Sequence, residues 1–72
     1  MNTSFLSFKT PYEVSMDLAK KVKTKRKYMK LTQLRLAEKS GVSMGSLKLF
    51  EQTGEISLSS LLKIAMALDS LK

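Results

Sequence analysis

The sequence predicts an all-α fold, a compact bundle of four helices with the start of a fifth near the C-terminus. Three observations point to it. Thr10, Thr32, Ser43 and Ser57 each stand directly before a helix-like run. Apolar residues recur at i, i+3, i+4 and i+7 rather than in strict alternation, and Gly41 and Gly54 fall where two of the runs end. At 72 residues, 43% hydrophobic and 26% charged, the chain has the length of one small globular domain. A core of that size is marginal, so a partner subunit would add to it.

Residues 1–9 are Ser/Thr-rich and carry Phe5, Leu6 and Phe8. They are expected to form a flexible arm, or to dock or pair as a strand across a dimer. The domain proper is placed at 10–72. Its first helix has Thr10 as N-cap, Pro11 at the first helical position and Glu13 three residues after the cap, a capping box. Val14, Leu18, Ala19 and Val22 follow as its apolar stripe. Glu13 and Asp17 suit the positive end of the helix dipole, and the Lys/Arg cluster suits its negative end.

The second helix starts after Thr32, buries Leu36 and Ala37, and stops at Ser40-Gly41. The third starts after Ser43, carries Leu47 and Phe50 on one face, and ends at Gly54. The fourth starts after Ser57, with Ile56 placed to staple onto Leu61. Its expected buried stripe is Leu58, Leu61, Leu62, Ala65 and Leu68.

The charge is local. Thirteen Lys or Arg stand against six Asp or Glu, a net charge of +7. From Lys20 to Lys30 there are seven basic residues (Lys20, Lys21, Lys23, Lys25, Arg26, Lys27 and Lys30) and no acid, so the rest of the chain is neutral. Such a block suggests nucleic acid or an anionic membrane as partner, with a solvated basic face as the plain alternative. Lys25 falls almost in line with Leu18 and Val22, so its stem is expected to cover apolar surface.

Several classes fall away. Without Cys there is no disulfide framework, which fits a cytoplasmic setting. Without His the usual general base and the commonest nitrogen metal ligand are missing, and the acids lack the spacing of a carboxylate dyad or a calcium loop. No enzyme activity, metal or cofactor is expected. No run of about 18 apolar residues is present, so no membrane span is expected. The basic cluster also lacks interleaved Trp or Phe and its apolar stripe is needed for the core, so no membrane surface is expected as partner.

The informative stretch is TQLRLAEKSGVSMGSLKLFEQTG, Thr32 to Gly54. A helix-turn-helix needs a small residue where its helices approach, met by Ala37, and a residue tolerating positive φ in the turn, met by Gly41. It also needs an apolar plug after the turn, Val42, and two inner residues on the second helix, Leu47 and Phe50. That spacing lets two short helices cross and present the second, 43–53, to a major groove. The plain alternative is a helical hairpin.

From about Leu18 to Leu68 the chain resembles the Xre/Cro/cI-type helix-turn-helix regulators, the lambda-repressor-like domains. LTQLRLAEKSGVS resembles their helix 2 and turn, Phe50-Glu51 with Gly54 the end of their helix 3, and SLSSLLKIAMAL their fourth helix. The family implies a fifth helix, which would form at the end of the sequence. It also implies that Arg26 pairs with Glu51 to tie helix 1 to helix 3, and that Gln33 contacts a backbone phosphate and buttresses the reader helix.

The DNA-facing positions of the family fall on Ser43, Met44, Gly45, Ser46, Lys48, Leu49 and Gln52. Bidentate reading of a purine favours Gln, Asn or Arg. Met44, Gly45 and Leu49 offer none, so modest direct readout is expected, with Met44 and Leu49 alternatively covering a protein interface. Lys27 and Lys30 are expected to flank the sugar-phosphate backbone, within about four to six phosphate contacts per subunit.

The resemblance implies a bacterial or phage-encoded repressor, a homodimer on a palindromic double-stranded DNA operator, autoregulating its own operon. TPYEV with EQTGEISLSSLLKIAMAL looks closer to the antitoxins of toxin–antitoxin operons, among them those paired with HipA-type kinases. A toxin is thus a possible partner, with Met16, Leu49, Met66 and the Phe5–Phe8 arm as expected exposed surfaces. A protein–protein adaptor with a degenerate helix-turn-helix is a further alternative.

Overall fold

In the computed structural model, which describes residues 9–70, the chain forms four helices. They are α1 Pro11–Tyr28, α2 Gln33–Ser40, α3 Met44–Thr53 and α4 Leu58–Ser70, with no strand among the described residues. The all-α bundle expected from the sequence is therefore the fold. The Phe5–Phe8 segment of the arm and the last residues, where a fifth helix was expected to begin, lie outside the described residues.

Each helix start rests on a hydroxyl. The Thr10 side chain accepts from the Glu13 N–H at 3.1 Å while the Glu13 carboxylate accepts from the Thr10 N–H at 2.9 Å, closing the capping box. Thr32 accepts from Arg35 N–H, Ser43 from Ser46 N–H and Ser57 from Ser60 N–H, at 3.0–3.1 Å. Each such cap is worth about 1 kcal/mol against alanine.

The helix ends differ. Gly41 and Gly54 close α2 and α3 in the left-handed conformation, at φ 76° and 80°. α1 ends in the same conformation without a glycine: Lys30 sits at φ 59°, its N–H on the Lys27 carbonyl at 2.9 Å and the Leu31 N–H on the Arg26 carbonyl at 3.0 Å. This is a Schellman motif with a lysine where glycine is usual. A side chain there costs about 1 kcal/mol.

The core gathers Ala19 and Val22 of α1, Leu36 and Ala37 of α2, Val42 of the turn, Leu47 and Phe50 of α3, and Ile64, Ala67 and Leu68 of α4. Met29, Leu31, Met44, Ile56 and Leu61 pack partly against it. Gly54 lets α1 and α3 close up. A Cβ there would lie 2.9 Å from the Ser15 carbonyl carbon and 3.1 Å from the Met16 nitrogen.

Three expectations need correction. On α4, Leu58, Leu62 and Ala65 are exposed, while Ile64 and Ala67 are buried. The helix packs chiefly on α2, which turns its inward sector toward Ile64 and Ala67. On α1, Leu18 remains 38% exposed because the core lies on the side of Ala19, Val22 and Arg26. Met16, expected to be exposed, is half-buried, because the end of α3 lies against that turn of α1.

Candidate nucleic-acid interface

α2 and α3 are joined by three residues whose geometry is pinned from within. Gly41 N–H reaches the Ala37 carbonyl at 2.9 Å, the Ser40 hydroxyl bridges the Ala37 carbonyl and the Val42 N–H, and the Val42 side chain is buried beneath. With Leu47 and Phe50 in the core, the opposite face of α3 is held outward. On it, Gly45, Ser46, Lys48, Leu49 and Gln52 are exposed, and Met44 is half-buried.

Those residues are not equivalent. The Ser43 hydroxyl accepts from the Ser46 N–H at 3.1 Å and donates to the Ser46 hydroxyl at 2.9 Å, so its capacity is used at home. Ser46 keeps its own hydroxyl proton for an outside acceptor. Lys48 and Gln52 make no side-chain hydrogen bond among the described residues. A Cβ at Gly45 would meet nothing within 4 Å, so no internal contact requires glycine there. Its effect is to leave the start of α3 bare, with backbone rather than side chain at the surface.

A buried clamp sets the pose of this face. Arg26 donates from Nε to Glu51 Oε2 at 2.8 Å and from Nη2 to Oε1 at 3.0 Å, a bidentate pair between α1 and α3. Its Nη1 donates to the Leu31 carbonyl at 2.8 Å, and Gln33 Nε2 donates to Glu51 Oε1 at 3.0 Å. One guanidinium and one carboxylate thus join α1, the following loop, α2 and α3. The fork geometry of arginine makes this possible, and lysine would not reproduce it.

Burial alone would raise the Glu51 pKa. The hydrogen bonds from Arg26 and Gln33, with the charges of Arg26 and Lys23, outweigh it and hold the carboxyl below its ordinary value. Gln33 therefore has one amide proton committed to Glu51, and its second proton and carbonyl remain beside the N-terminus of α2.

The basic block divides into two groups. Lys23 is near enough for its charge to favour the ionised Glu51, with Lys27 one turn further along α1 and Lys30 in the loop beyond. Lys20 shares that stripe through its i, i+3, i+7 spacing with Lys23 and Lys27, whereas Lys21 and Lys25 lie further round α1 and line the hollow beside α4. Of the lysines on this stripe only Lys27 was singled out from the sequence, with Lys30 beyond it; the i, i+3, i+7 spacing of Lys20, Lys23 and Lys27 was the signal for the others.

Among the described residues no helix is long and apolar enough to cross a membrane. Comparison with family models, curated protein sequences and solved structures finds no match for this chain. The functional reading therefore rests on the site itself.

Proposed function

We propose that this chain is a sequence-specific double-stranded DNA-binding repressor of the lambda-repressor-like class, inserting α3 into a major groove. The observation that carries this reading is the exposed face of α3, with Lys48 and Gln52 unbonded, held in a fixed pose by the Arg26–Glu51–Gln33 clamp. Lys23 and Lys27, one turn apart on α1, and Lys30 in the loop beyond neutralise phosphates in this reading, and the amide groups at the N-terminus of α2 beside Gln33 suit another. Direct readout is carried by Lys48, Gln52 and Ser46, with Met44 and Leu49 offering apolar contact to thymine methyls. In this reading two copies bind a palindromic operator, with half-sites about one helical turn apart, and repress their own operon.

Selection of bound duplexes from a randomised pool, followed by gel-shift titration at rising salt, tests the proposal. An enriched palindrome is expected, with log affinity falling by about 0.9 per log unit of salt for each phosphate neutralised. Lys48→Ala should cost about 1–3 kcal/mol and relax the preference at one position, whereas Lys27→Ala should weaken all sequences alike. Failure to bind any duplex near about 50 mM salt sinks the reading, since phosphate contacts are strongest there.

A further inference from the structure

Two neighbouring hollows share one wall. The first lies between α1 and α4, has a volume of about 400 Å³, and is floored by Leu18, Val22, Leu61, Leu62, Ala65 and Leu68. Lys21 and Lys25 form its α1 rim and Asp69 lies on the α4 side. The second, about 420 Å³, runs along the outer face of α1 between Lys20, Lys21, Thr24, Lys25 and Tyr28. Lys21 and Lys25 thus stand as a ridge between the two. Their stems line apolar surface on both sides and their ammonium groups remain exposed.

The floor of the first hollow is surplus to the core. Around α4, apolar side chains occupy well over half of the circumference, but only the sector of Ile64, Ala67 and Leu68 is buried. Leu62 is 52% exposed and Leu58, one turn earlier, is 70% exposed. An apolar arc wider than the chain's own core can use, rimmed by polar groups, marks an interaction surface.

We propose that this groove docks an amphipathic helix of another polypeptide, with an apolar face flanked by Asp and Glu. A helix is about 10 Å across, and a cleft between two helices receives it with its apolar face inward. Flanking carboxylates would then meet Lys21 and Lys25 on the ridge and Lys20 beyond it. The rim charge selects this occupant over a second copy. Lys20, Lys21 and Lys25 outnumber the single acid Asp69 around the two hollows, a surplus that an acidic helix complements and a second copy of the same surface does not. Neither hollow includes α3, so docking leaves the reader face open, and the inference stands whether or not α3 binds DNA.

The test uses the full chain and two fluorescein-labelled helical peptides of about 20 residues. They share one Leu/Ala face, and one carries Glu and the other Lys along its flanks. Fluorescence anisotropy should show the Glu-flanked peptide binding at least about tenfold more tightly than the Lys-flanked one. Leu62→Glu should abolish binding, and Leu62→Ser should weaken it. Both change an exposed side chain, and circular dichroism checks that the fold is retained. The double reversal Lys21→Glu/Lys25→Glu should invert the peptide preference, which loss of fold could not do.

Failure to bind the Glu-flanked peptide, or equal binding of both peptides, overturns the proposal. So does sedimentation of the chain as a dimer that Leu62→Glu converts to monomers, which assigns the groove to a second copy. Co-sedimentation with phosphatidylserine vesicles, abolished by Leu62→Glu and unaffected by excess Glu-flanked peptide, assigns it to a membrane and overturns it equally.

Discussion

The α2–turn–α3 half of the molecule and α4 treat apolar residues in opposite ways. In the first, Leu36, Ala37, Val42, Leu47 and Phe50 are all buried, and the Arg26–Glu51 pair is bonded to both flanking elements. Along α4, Ile64, Ala67 and Leu68 are buried while Leu58, Leu62 and Met66 remain in solvent. The former half closes its own core and leaves Leu34 and Leu49 half exposed. The latter carries more apolar surface than its own chain covers. A small domain with few core positions can fix one face rigidly, and what it leaves uncovered elsewhere is available to a partner.

The sharpest way to break this comparison is at the clamp. Glu51→Ala leaves the Arg26 charge buried without its carboxylate and should cost about 3–5 kcal/mol, enough to unfold a domain this small. Chemical denaturation measures it. The joint replacement Arg26→Met/Glu51→Leu should recover most of that loss, since an apolar pair of similar volume leaves no charge unpaired.

Acid probes the same pair. The folded pKa of Glu51 is depressed, so its contribution is present above the ordinary carboxylate value and lost as pH falls through the lower folded value. The melting temperature should therefore drop below about pH 4.5, with a shallower drop in the Glu51→Gln variant.

On α4 the two sides of one helix can be set against each other. Ile64→Ala should cost about 2–5 kcal/mol, because Ile64 is fully buried. Leu62→Ala should change stability by no more than about 0.5 kcal/mol, as for other surface positions. Comparable losses at the two sites would mean that the exposed stripe is covered within the isolated chain.

Three smaller effects concern two left-handed residues and one helical glycine. Gly54→Ala should cost about 1–3 kcal/mol, through its positive φ and the 2.9 Å approach to the Ser15 backbone. Gly45→Ala, in open space inside a helix, should instead gain about 0.5–1 kcal/mol. Lys30→Gly should also stabilise, by about 1 kcal/mol, because it relieves the positive φ. In the DNA-binding reading it should at the same time weaken duplex affinity, so stability and binding would move in opposite directions. Thermal melts and gel shifts on the same preparations check both.

Which parts of this were legible in the sequence follows from the range of the signals. Capping is local, and Thr10 with Glu13, Thr32, Ser43 and Ser57 announce the helix starts because the bond closes within three residues. Gly41 and Gly54 announce two of the helix ends for a similar reason. The end of α1 was silent, since Lys30 adopts the left-handed conformation without the residue type that signals it.

On α4 the sequence offered apolar residues on most of the circumference, so periodicity could not say which sector faces inward. Packing against α2 decides that, and it is a tertiary fact. The division of the lysines was equally hidden. Their number and their spacing around α1 are plain in the sequence, whereas which of them come near α3 or α4 depends on where those helices lie.

The clamp has a consequence for how the molecule breathes. Because the Arg26 guanidinium and the Glu51 carboxylate between them hold α1, the loop, α2 and α3 together, none of them can swing away without breaking a bond to this one pair. The amide protons of those three helices should then exchange with solvent water through a shared opening event, at a similar free energy across all three. α4 is outside that knot. Its amides have their own route to solvent, and hydrogen exchange would register it as a separate, earlier-opening unit.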